Sequence, residues 1–335
     1  MTTARMERGA TPIVANILLV GIALVIGVVL ITVSFGFLEE TGAPTPEATF
    51  EYEQTPVGLQ MTPEVLGTDV IVKLNNNEVA TFEADSAGQS VLIPTAPDDT
   101  ITVISRDEDR AVLVNKEIDR RNELGDFIAY YSFDSGGGNV TDRSGNGNEG
   151  IRNGGTDWVS DEDGTALDFD GSSGTYVDVG DLTVDGPDRV EELTVAIRYK
   201  HHGGSGIQNL IEHQDSNFAW FIETDGKHGD PHQMEWNVGY KTNPSGKIPT
   251  GDISGGETTV LVGTYDGSEM TLYRDGTKIG SRTFERDVAL GEVIVGADSD
   301  PSSVGQNLDG RIYELRLYYA AFDGDDVEAI TNAMS

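Results

Sequence analysis

A long apolar stretch lies close to the N-terminus. From Ile13 to Leu38 there are 26 residues without a charge, interrupted only by Asn16, Thr32, Ser34 and glycines. As an α-helix this stretch would be about 39 Å long, which exceeds the roughly 30 Å hydrocarbon core of a bilayer. Because it is apolar on every face, it belongs in lipid or inside a bundle of helices. The pattern predicts a transmembrane or filament-core helix over residues 10–38.

The charges that flank this segment predict its orientation. Arg5 and Arg8 precede it, and Glu39 and Glu40 follow it. The positive-inside rule then places the N-terminus in the cytoplasm and everything after Glu39 outside the cell. A cleaved secretory signal is disfavoured, because its apolar region is shorter and ends in a small-residue cleavage site. A simple signal anchor stays open as an alternative.

Short alternating runs replace the apolar pattern after the helix. Residues 39–48, with two prolines and a glycine, predict a stiff linker. The runs that follow have the period of two and the turn residues of β-strands, and we expect them to form a small β-sandwich over residues 49–122. This segment contains no His or Cys and shows no catalytic constellation. Its six predicted strands are residues 49–53, 70–74, 79–82, 90–93, 100–104 and 110–114.

Residues 126–335 repeat the strand pattern on a larger scale. The dipeptides Asp266-Gly267 and Asp275-Gly276 bracket an alternating run, and Asp-Gly supplies the positive φ angles of tight hairpin turns. Many strands with short turns and almost no helical periodicity predict a sheet-on-sheet fold. The one helix is expected over the closing residues 323–334, with Asp323 as its N-cap.

The charge balance narrows the classes of partner. Acidic residues outnumber basic ones 57 to 22, and the formal net charge is −35. Such a surface repels nucleic acid, so we expect neither DNA nor RNA as a partner. With 37% hydrophobic residues and 41 glycines, the chain does not have the composition of a disordered acidic polymer. The acidity indicates a halophile, because concentrated salt screens the self-repulsion. The absence of cysteine excludes disulfides and thiolate metal sites.

The segment before the apolar helix reads Glu-Arg-Gly-Ala-Thr-Pro-Ile-Val over residues 7–14. It resembles the class III signal sequence of archaeal type IV prepilins, in which a charged residue and a glycine precede the cut. The resemblance implies a leader over residues 1–9, with Arg8 and Gly9 before the cut and Ala10 as the new N-terminus. Prepilin peptidase and further copies of the chain in a helical filament would then be partners. Val14 departs from the Glu that bacterial pilins usually carry at this position.

A second set of motifs lies in residues 126–335. These motifs are Tyr131–Asp134, Asp142–Gly150, Ala166–Gly171, Thr175–Val179, Gly263–Gly276 and Leu308–Val327. In this order they resemble the laminin-G-like, or concanavalin A-like, jelly roll. The resemblance implies a jelly roll for this domain. The whole chain is therefore expected to be mainly β, with an N-terminal α-helix and a small β-sandwich before the larger jelly roll. The resemblance also implies sugar binding, the most general activity of the family.

Oxygen-bearing side chains in the loops of this domain predict a calcium site. Carboxylate and amide oxygens are the ligands that Ca²⁺ prefers, and many relatives bind calcium between the loop after the first strand and the final strand. We expect Asp170 and Asp309 as the principal ligands, with Asp142 and Asn146 as further ones. The alternative is that these side chains stabilise turns through hydrogen bonds to the backbone.

Aromatic and acidic residues in the middle strands are candidate ligand-binding or catalytic groups. Trp220, Trp236 and Tyr240 could stack on a sugar ring, although a Trp within a strand is usually a core residue. A glycosidase needs two carboxylates across a cleft. Glu212 and Asp215 are the nearest pair, but they would face opposite ways on a strand. We therefore expect no enzymatic activity.

These patterns together predict a type IV pilus subunit on an archaeal cell surface, whose outward domains mediate adhesion or bind glycans. Asn139 begins a glycosylation sequon, Asn-Val-Thr, in a glycine-rich loop. One alternative is a monomeric, membrane-anchored surface lectin. Another is a polysaccharide hydrolase that uses Glu212.

Overall fold

The structure is a computed structural model of the 335-residue chain. It describes residues 48–96, 99–107, 110–118, 126–134, 137–182, 189–203, 207–213, 219–224, 233–238, 248–252, 255–283, 285, 288–298 and 306–335. The predicted leader and apolar helix lie outside these residues, as does all of the predicted linker except Ala48. Within the described ranges, no helix is both long and apolar enough to cross a membrane.

Strands dominate the described chain, which confirms the mainly β class. The described residues divide into two compact units, the first comprising those within residues 48–53, 61–91 and 102–115, and the second those within residues 54–60, 92–101 and 116–335. The first seven strands are β1 (Ala48–Gln54), β2 (Gly58–Leu66), β3 (Val70–Leu74), β4 (Asn77–Phe82), β5 (Val91–Pro94), β6 (Thr100–Ser105) and β7 (Val112–Glu117).

These seven strands form a three-stranded sheet, β1-β2-β5, and a four-stranded sheet, β4-β3-β6-β7. Phe50 of the first sheet and Phe82 of the second have ring centroids 6.0 Å apart. Both rings are buried, as are Met61, Val72 and Val103. Apolar side chains therefore pack between the two sheets, in the manner of a small β-sandwich.

The sequence pattern missed strand β2. Pro63 lies within it, and proline usually argues against a central strand because it lacks a backbone N–H. The structure nevertheless places β2 between β1 and β5. The carbonyl oxygen of Pro63 still accepts a hydrogen bond, from the Gly88 N–H at 2.8 Å. A proline removes only the donor of its residue, so the strand continues through it.

The second unit contains two large sheets. Its strands are β8 (Phe127–Tyr131), β9 (Ile151–Asn153), β10 (Thr156–Asp161), β11 (Gly164–Asp170), β12 (Tyr176–Asp181), β13 (Arg189–Val190), β14 (Leu193–His201), β15 (Asn209–His213), β16 (Trp220–Thr224), β17 (Gln233–Val238), β18 (Ile248–Asp252), β19 (Thr258–Tyr265), β20 (Glu269–Arg274), β21 (Thr277–Thr283), β22 (Val288–Ala289), β23 (Glu292–Val295) and β24 (Asp309–Tyr318). The eight-stranded sheet has the order β10-β11-β24-β14-β19-β20-β21, and β8 also pairs with β24. The seven-stranded sheet has the order β18-β17-β16-β15-β23-β12-β9, and β13 pairs with β22.

The main hydrophobic core contains residues from both large sheets. Ile197 and Leu315 of the eight-stranded sheet belong to the same buried cluster as Ile222 and Trp236 of the seven-stranded sheet. Gly263 on β19 leaves room for this packing, because a Cβ there would lie 2.5 Å from the Trp236 ring. The predicted sheet-on-sheet fold is confirmed, and so are the two hairpin turns, in which Gly267 and Gly276 have positive φ.

The single helix of the described residues, α1 (Gly324–Met334), closes the chain. The Asp323 carboxylate accepts hydrogen bonds from the backbone N–H groups of Asp325 and Asp326, so the predicted N-cap is confirmed. Val327 and Ile330 of this helix pack in a second hydrophobic cluster, with outward-facing residues of the eight-stranded sheet. The helix therefore covers part of that sheet's outer face.

Candidate functional site

The outer face of the seven-stranded sheet carries a compact group of buried, mostly polar side chains. We call this group the polar face. It consists of Asn209, Glu212, Phe221, Glu223, Glu235 and Asn237 on strands β15, β16 and β17.

Strand alternation explains why these residues point away from the main core. On β17, Trp236 and Val238 belong to the main core, so Glu235 and Asn237 face the opposite side of the sheet. The same alternation on β16 turns Phe221 and Glu223 outward. On β15 the register shifts between residues 209 and 211.

Because of that shift, Asn209 and Glu212 both lie on the outer side. The side-chain Nδ2 of Asn209 donates a hydrogen bond to Glu212 Oε2. Glu212 therefore has a partner that is supplied by its own strand.

The sheet register arranges the six residues in two rows across three strands. Glu212 is opposite Phe221, which is opposite Asn237. Asn209 is opposite Glu223, which is opposite Glu235. Directly opposed residues have Cβ atoms about 4.5–5.5 Å apart, so three carboxyl and two amide groups lie within reach of one small molecule.

All six side chains are buried, although none faces the main core. Their exposed fractions are 0% for Asn209 and Asn237, 1% for Glu235, 2% for Phe221, 5% for Glu212 and 7% for Glu223. Glutamate is almost never buried to this extent without specific partners. Three buried glutamates on adjacent strands are therefore a feature that the hydrophobic effect does not explain.

Asn237 is the most unusual member of the polar face. Neither its Oδ1 nor its Nδ2 has a hydrogen-bond partner, and the side chain is fully buried. An unsatisfied buried polar group costs about 1–3 kcal/mol, and such groups are rare in native proteins. An amide that can both donate and accept thus lies unsatisfied beside three carboxyl groups.

The outer face of the eight-stranded sheet is also charged, and its charges form ion pairs. We call Asp161, Asp163, Asp168, Lys200 and Arg311 the ion-pair face. The Arg311 guanidinium donates to Asp161 Oδ2 at 2.6 Å and to Asp168 Oδ1 at 2.8 Å. Lys200 Nζ lies 2.7 Å from Asp163 Oδ2. Each carboxylate of this face therefore has a cationic partner within the fold.

The pKa values follow from these contacts. Burial alone would raise the pKa of Asp161, but hydrogen bonds from Tyr313, the Asp163 N–H and Arg311 outweigh it and lower that pKa. Hydrogen bonds from Lys200 and Thr258 lower the pKa of Asp163. Burial and the hydrogen bond to Asp161 raise the pKa of Tyr313 to about 12. These contacts therefore favour the ionised forms of Asp161 and Asp163.

Two of the four residues predicted to bind calcium stabilise a turn. The buried Asp142 carboxylate accepts hydrogen bonds from the N–H groups of Tyr130, Ser144 and Asn148, at 2.9–3.0 Å. Asn146 Nδ2 donates to the carbonyl oxygens of Phe127 and Ile128. These two side chains join the loop to β8, as the turn-stabilising alternative predicts.

The other two, Asp170 and Asp309, are cross-strand neighbours. Asp170 Oδ1 accepts hydrogen bonds from Ser172 and Thr175. Asp309 Oδ1 lies 3.4 Å from His202 Nδ1. Each carboxylate thus has its own protein partners.

The four predicted ligands do not form one site. Tyr130, which binds Asp142, pairs with Arg316 of β24, seven residues beyond Asp309. At about 3.3 Å per residue, that separates the two groups by about 23 Å. Across the described part of the chain, no three His, Asp or Glu side chains are grouped to hold a metal ion. Calcium at Asp170 and Asp309 stays a prediction.

The two tryptophans predicted to stack on sugars are core residues. Trp220 and Trp236 are completely buried, and their Nε1 atoms donate to the carbonyl oxygens of Ala289 and Thr264. Because alternation turns them inward, neither ring is available to a ligand on the outer face. Tyr240 and Asp215 lie outside the described residues.

Three further sequence predictions can be located. The sequence His-His-Gly-Gly at residues 201–204 predicts a solvated loop, but His201 is a buried residue at the end of β14. Its Nε2 lies 3.2 Å from Gln208 Oε1. Asn139 is exposed beside an isolated β-bridge formed by Val140 and Gly150. Arg8, Gly9 and Ala10 lie outside the described residues.

Sequence reasoning singled out Glu212 but missed the other five residues of the polar face. The signal was present in the segment Met-Glu-Trp-Asn-Val at residues 234–238, where polar and apolar residues alternate strictly. The two tryptophans of these strands occupy inward positions, whereas the glutamates and Asn237 occupy outward positions.

Comparison with known proteins supports the jelly-roll fold of the second unit. Residues 170–328 match the sequence model of a laminin-G-type family described as the concanavalin A-like lectin/glucanases superfamily. No curated protein matches the chain. Among solved structures, domain 4 of AbnA, a GH43 extracellular arabinanase from Geobacillus stearothermophilus in complex with arabinotriose, is similar at 21% identity and a TM-score of 0.49. That match covers 61% of this chain and 98% of the arabinanase domain.

Two toxin domains are similar as well. The binding domain of Paraclostridial Mosquitocidal Protein 1 is 16% identical, with a TM-score of 0.50, over 62% of this chain and 52% of its own. The binding domain of Botulinum Neurotoxin DC, in complex with SialylT, is 12% identical, with a TM-score of 0.50, over 63% of this chain and 51% of its own. The chain thus spans about half of each toxin domain, and identities this low show the fold alone. The chain contains a laminin-G-like, concanavalin A-like jelly-roll domain.

Proposed function

We propose that this protein is a non-catalytic carbohydrate-binding protein of the cell surface and that its polar face contacts the hydroxyl groups of a sugar. The observation that carries the proposal is Asn237, a fully buried amide whose two polar atoms have no partner. The fold supports the class of activity, because a toxin binding domain with this fold is in complex with SialylT. The unsatisfied amide on the polar face supports the proposed position of the sugar site, on strands β15, β16 and β17.

The chemistry of the polar face suits sugars. Ionised carboxylates accept hydrogen bonds, and an amide both donates and accepts. Phe221 adds an apolar side chain between Glu212 and Asn237. A few fixed polar groups around an apolar surface are typical of small-molecule sites, and a sugar presents hydroxyl groups around an apolar ring.

Binding can be tested with the full-length chain in a detergent that has no sugar headgroup. The protein would be applied to an array of immobilised oligosaccharides. We expect Asn237→Leu, which keeps the side-chain size but removes the amide, to weaken binding at least about tenfold, a loss of about 1.4 kcal/mol. Tyr199→Phe is the matched control.

Tyr199 suits this purpose because its hydroxyl group is also buried without a partner, but it belongs to the core between the sheets. We expect Tyr199→Phe to leave binding unchanged. Retained binding by Asn237→Leu, or no binding by the native chain, would reject the polar face as a sugar site.

The cellular setting is a separate part of the proposal. We propose that residues 10–38 form the core of a type IV pilus-like filament on an archaeal cell and present the two β units outward. This rests on the leader-like residues 7–14 and on the apolar stretch that follows them. Mass spectrometry of sheared filaments should find a chain that begins at Ala10. A chain that keeps Arg5 and Arg8 and occurs only in membranes would support a membrane-anchored lectin instead.

Asn139 is the proposed glycosylation site of this surface protein. Its side chain is exposed, and Thr141 of the sequon is exposed as well. Tryptic peptides from the native host should carry a glycan mass at Asn139, and Asn139→Gln should abolish it. An unmodified peptide at full occupancy would contradict the assignment.

Hydrolysis is the second candidate, because Glu223 and Glu235 are directly opposed on neighbouring strands. Retaining glycosidases hold two carboxyl groups about 5–5.5 Å apart. Release of reducing ends from a bound polysaccharide, lost in Glu235→Gln, would establish this activity. Binding without any release of reducing ends would leave the protein a lectin.

A further inference from the structure

We infer that residues 54–60 and 92–96, which we call the strap, keep the C-terminal part of the chain attached to the N-terminal part even when the link between Ile118 and Asp126 is cut. Both stretches of the strap precede this link in the chain, yet both belong to the second compact unit. The second unit is therefore assembled from separate stretches of chain. This inference does not depend on sugar binding.

The strap packs on an aromatic cluster. The Phe127 ring stacks on the rings of Tyr130 and Tyr318, with centroids 5.6 and 4.5 Å apart. The centroid of the Phe322 ring lies 4.5 Å from that of Tyr318. These four rings belong to the second hydrophobic cluster. Because each aromatic side chain can bury about 150–250 Å², the uncovered rings would form an apolar patch of a size that soluble proteins rarely expose.

Each stretch of the strap contributes a side chain to this cluster. Val57 is completely buried and Ala96 is 3% exposed, and both belong to the same cluster as the four rings. The partly buried Leu92 packs against it as well. Gly58 allows the two stretches to approach closely, because a Cβ there would lie 2.4 Å from the backbone N of Thr95. The strap is thus part of the packed interior of the second unit.

Backbone hydrogen bonds hold both ends of the link. The Ile118 N–H donates to the carbonyl oxygen of Asp99, and the Asp126 N–H donates to the carbonyl oxygen of Pro56, both at 2.9 Å. Asp99 is itself joined to the strap, since its Oδ2 accepts a hydrogen bond from the Ala96 N–H at 2.7 Å. Because both ends are bonded to residues from earlier in the chain, a cut between them removes none of these contacts.

The test is cleavage of the full-length chain in detergent. The recognition site of a specific protease would be inserted between Arg121 and Asn122, and the cut protein would be passed through a size-exclusion column. The C-terminal fragment lacks the apolar stretch of residues 13–38, so its elution with the detergent micelle reports its association with the N-terminal fragment. We expect the two fragments to elute together at about 1 μM, which requires a dissociation constant below that value.

Three variants assign the association to the strap. Val57→Asp places a carboxylate in the aromatic cluster and should weaken the association at least about tenfold. Val57→Ala removes only apolar contacts and should weaken it less. Val65→Asp is the matched control, because it makes the same change on β2 at a valine that is 48% exposed, and it should leave the association unchanged. Circular dichroism of the uncut variants would verify that each is folded, and Val57→Ala decides the outcome if Val57→Asp is not.

Three outcomes would overturn the inference. Native fragments that separate as soon as the link is cut would show that the strap does not hold them. Fragments of a folded Val57→Asp variant that associate as tightly as native ones would show that another surface does. Separation in Val65→Asp would show that the association depends on the stability of the small β-sandwich rather than on the contacts of the strap.

Discussion

The ion-pair face and the polar face each contain three carboxylates, but only the polar face contains a side chain without a hydrogen-bond partner. On the ion-pair face, three aspartates share Lys200 and Arg311, and these contacts are 2.6–2.8 Å long. On the polar face, three glutamates lie on strands without Lys or Arg, beside an amide that has no partner. The charged groups of the ion-pair face are satisfied within the fold, whereas on the polar face we propose that a ligand satisfies the Asn237 amide.

The largest effect is expected on the inward side of the polar strands. Trp236 lies between Glu235 and Asn237 in the chain, but it is completely buried in the main core. Trp236→Ala should lower the free energy of unfolding by about 3–5 kcal/mol, because it leaves a cavity. Denaturant unfolding at fixed salt measures this. A loss below about 1 kcal/mol would show that the core repacks around the site.

The next effect concerns the ion-pair face. Arg311→Met removes the cation that Asp161 and Asp168 share, and we expect a loss of about 1–2 kcal/mol in the free energy of unfolding. Lys278→Met, which removes an exposed cation on β21, is the control and should change stability by less than about 0.5 kcal/mol. Sugar binding should not change in either variant. Lost binding in Arg311→Met would break the division of roles between the two faces.

A substitution on the polar face should raise the free energy of unfolding, whereas the two preceding substitutions lower it. Asn237→Leu removes an unsatisfied buried amide, so it should raise the free energy of unfolding by about 1 kcal/mol while it weakens sugar binding. Thermal unfolding and the oligosaccharide array measure the two effects on the same preparation. A variant that is less stable than the native chain would indicate that ordered water already satisfies the amide.

The smallest effect is a dependence of stability on pH. The pKa values of Asp161 and Asp163 are lowered in the folded chain, whereas an unfolded Asp has a pKa of about 3.9. Their contribution is therefore fully present above about pH 4 and is lost as the pH falls through the lower folded values. Arg311→Met should flatten this part of the curve of stability against pH. An unchanged slope in that variant would show that other carboxylates determine it.

Much of the architecture was readable from the residues. The Asp-Gly turns, the Asp323 cap and the alternating runs are local signals, and the structure confirms them. Strand β2 was missed because Pro63 is a local signal that misleads. Proline lacks only the backbone N–H donor. The hydrogen bonds of the other residues in the strand keep β2 between β1 and β5.

The site was readable only in part. The sequence identified Glu212, Trp220 and Trp236 as residues of interest, but it could not show which side of the sheet each one faces. A single shifted residue at β15 decides whether Asn209 points into the core or joins Glu212 on the polar face. The calcium candidates failed to converge for a similar reason, because strand length separates Asp142 from Asp309.

By itself, the sequence determined the mainly β class, the jelly-roll domain, the terminal helix cap and the apolar segment at residues 13–38, because composition, period and turn chemistry are local properties. Only the tertiary structure decided which polar residues meet. Glu212, Glu223 and Asn237 come together through the register of three strands, and the Asn237 amide is known to lack a partner only because its surroundings are in place. Hydrogen-bond satisfaction depends on neighbours that are distant in the chain, and no local pattern encodes it.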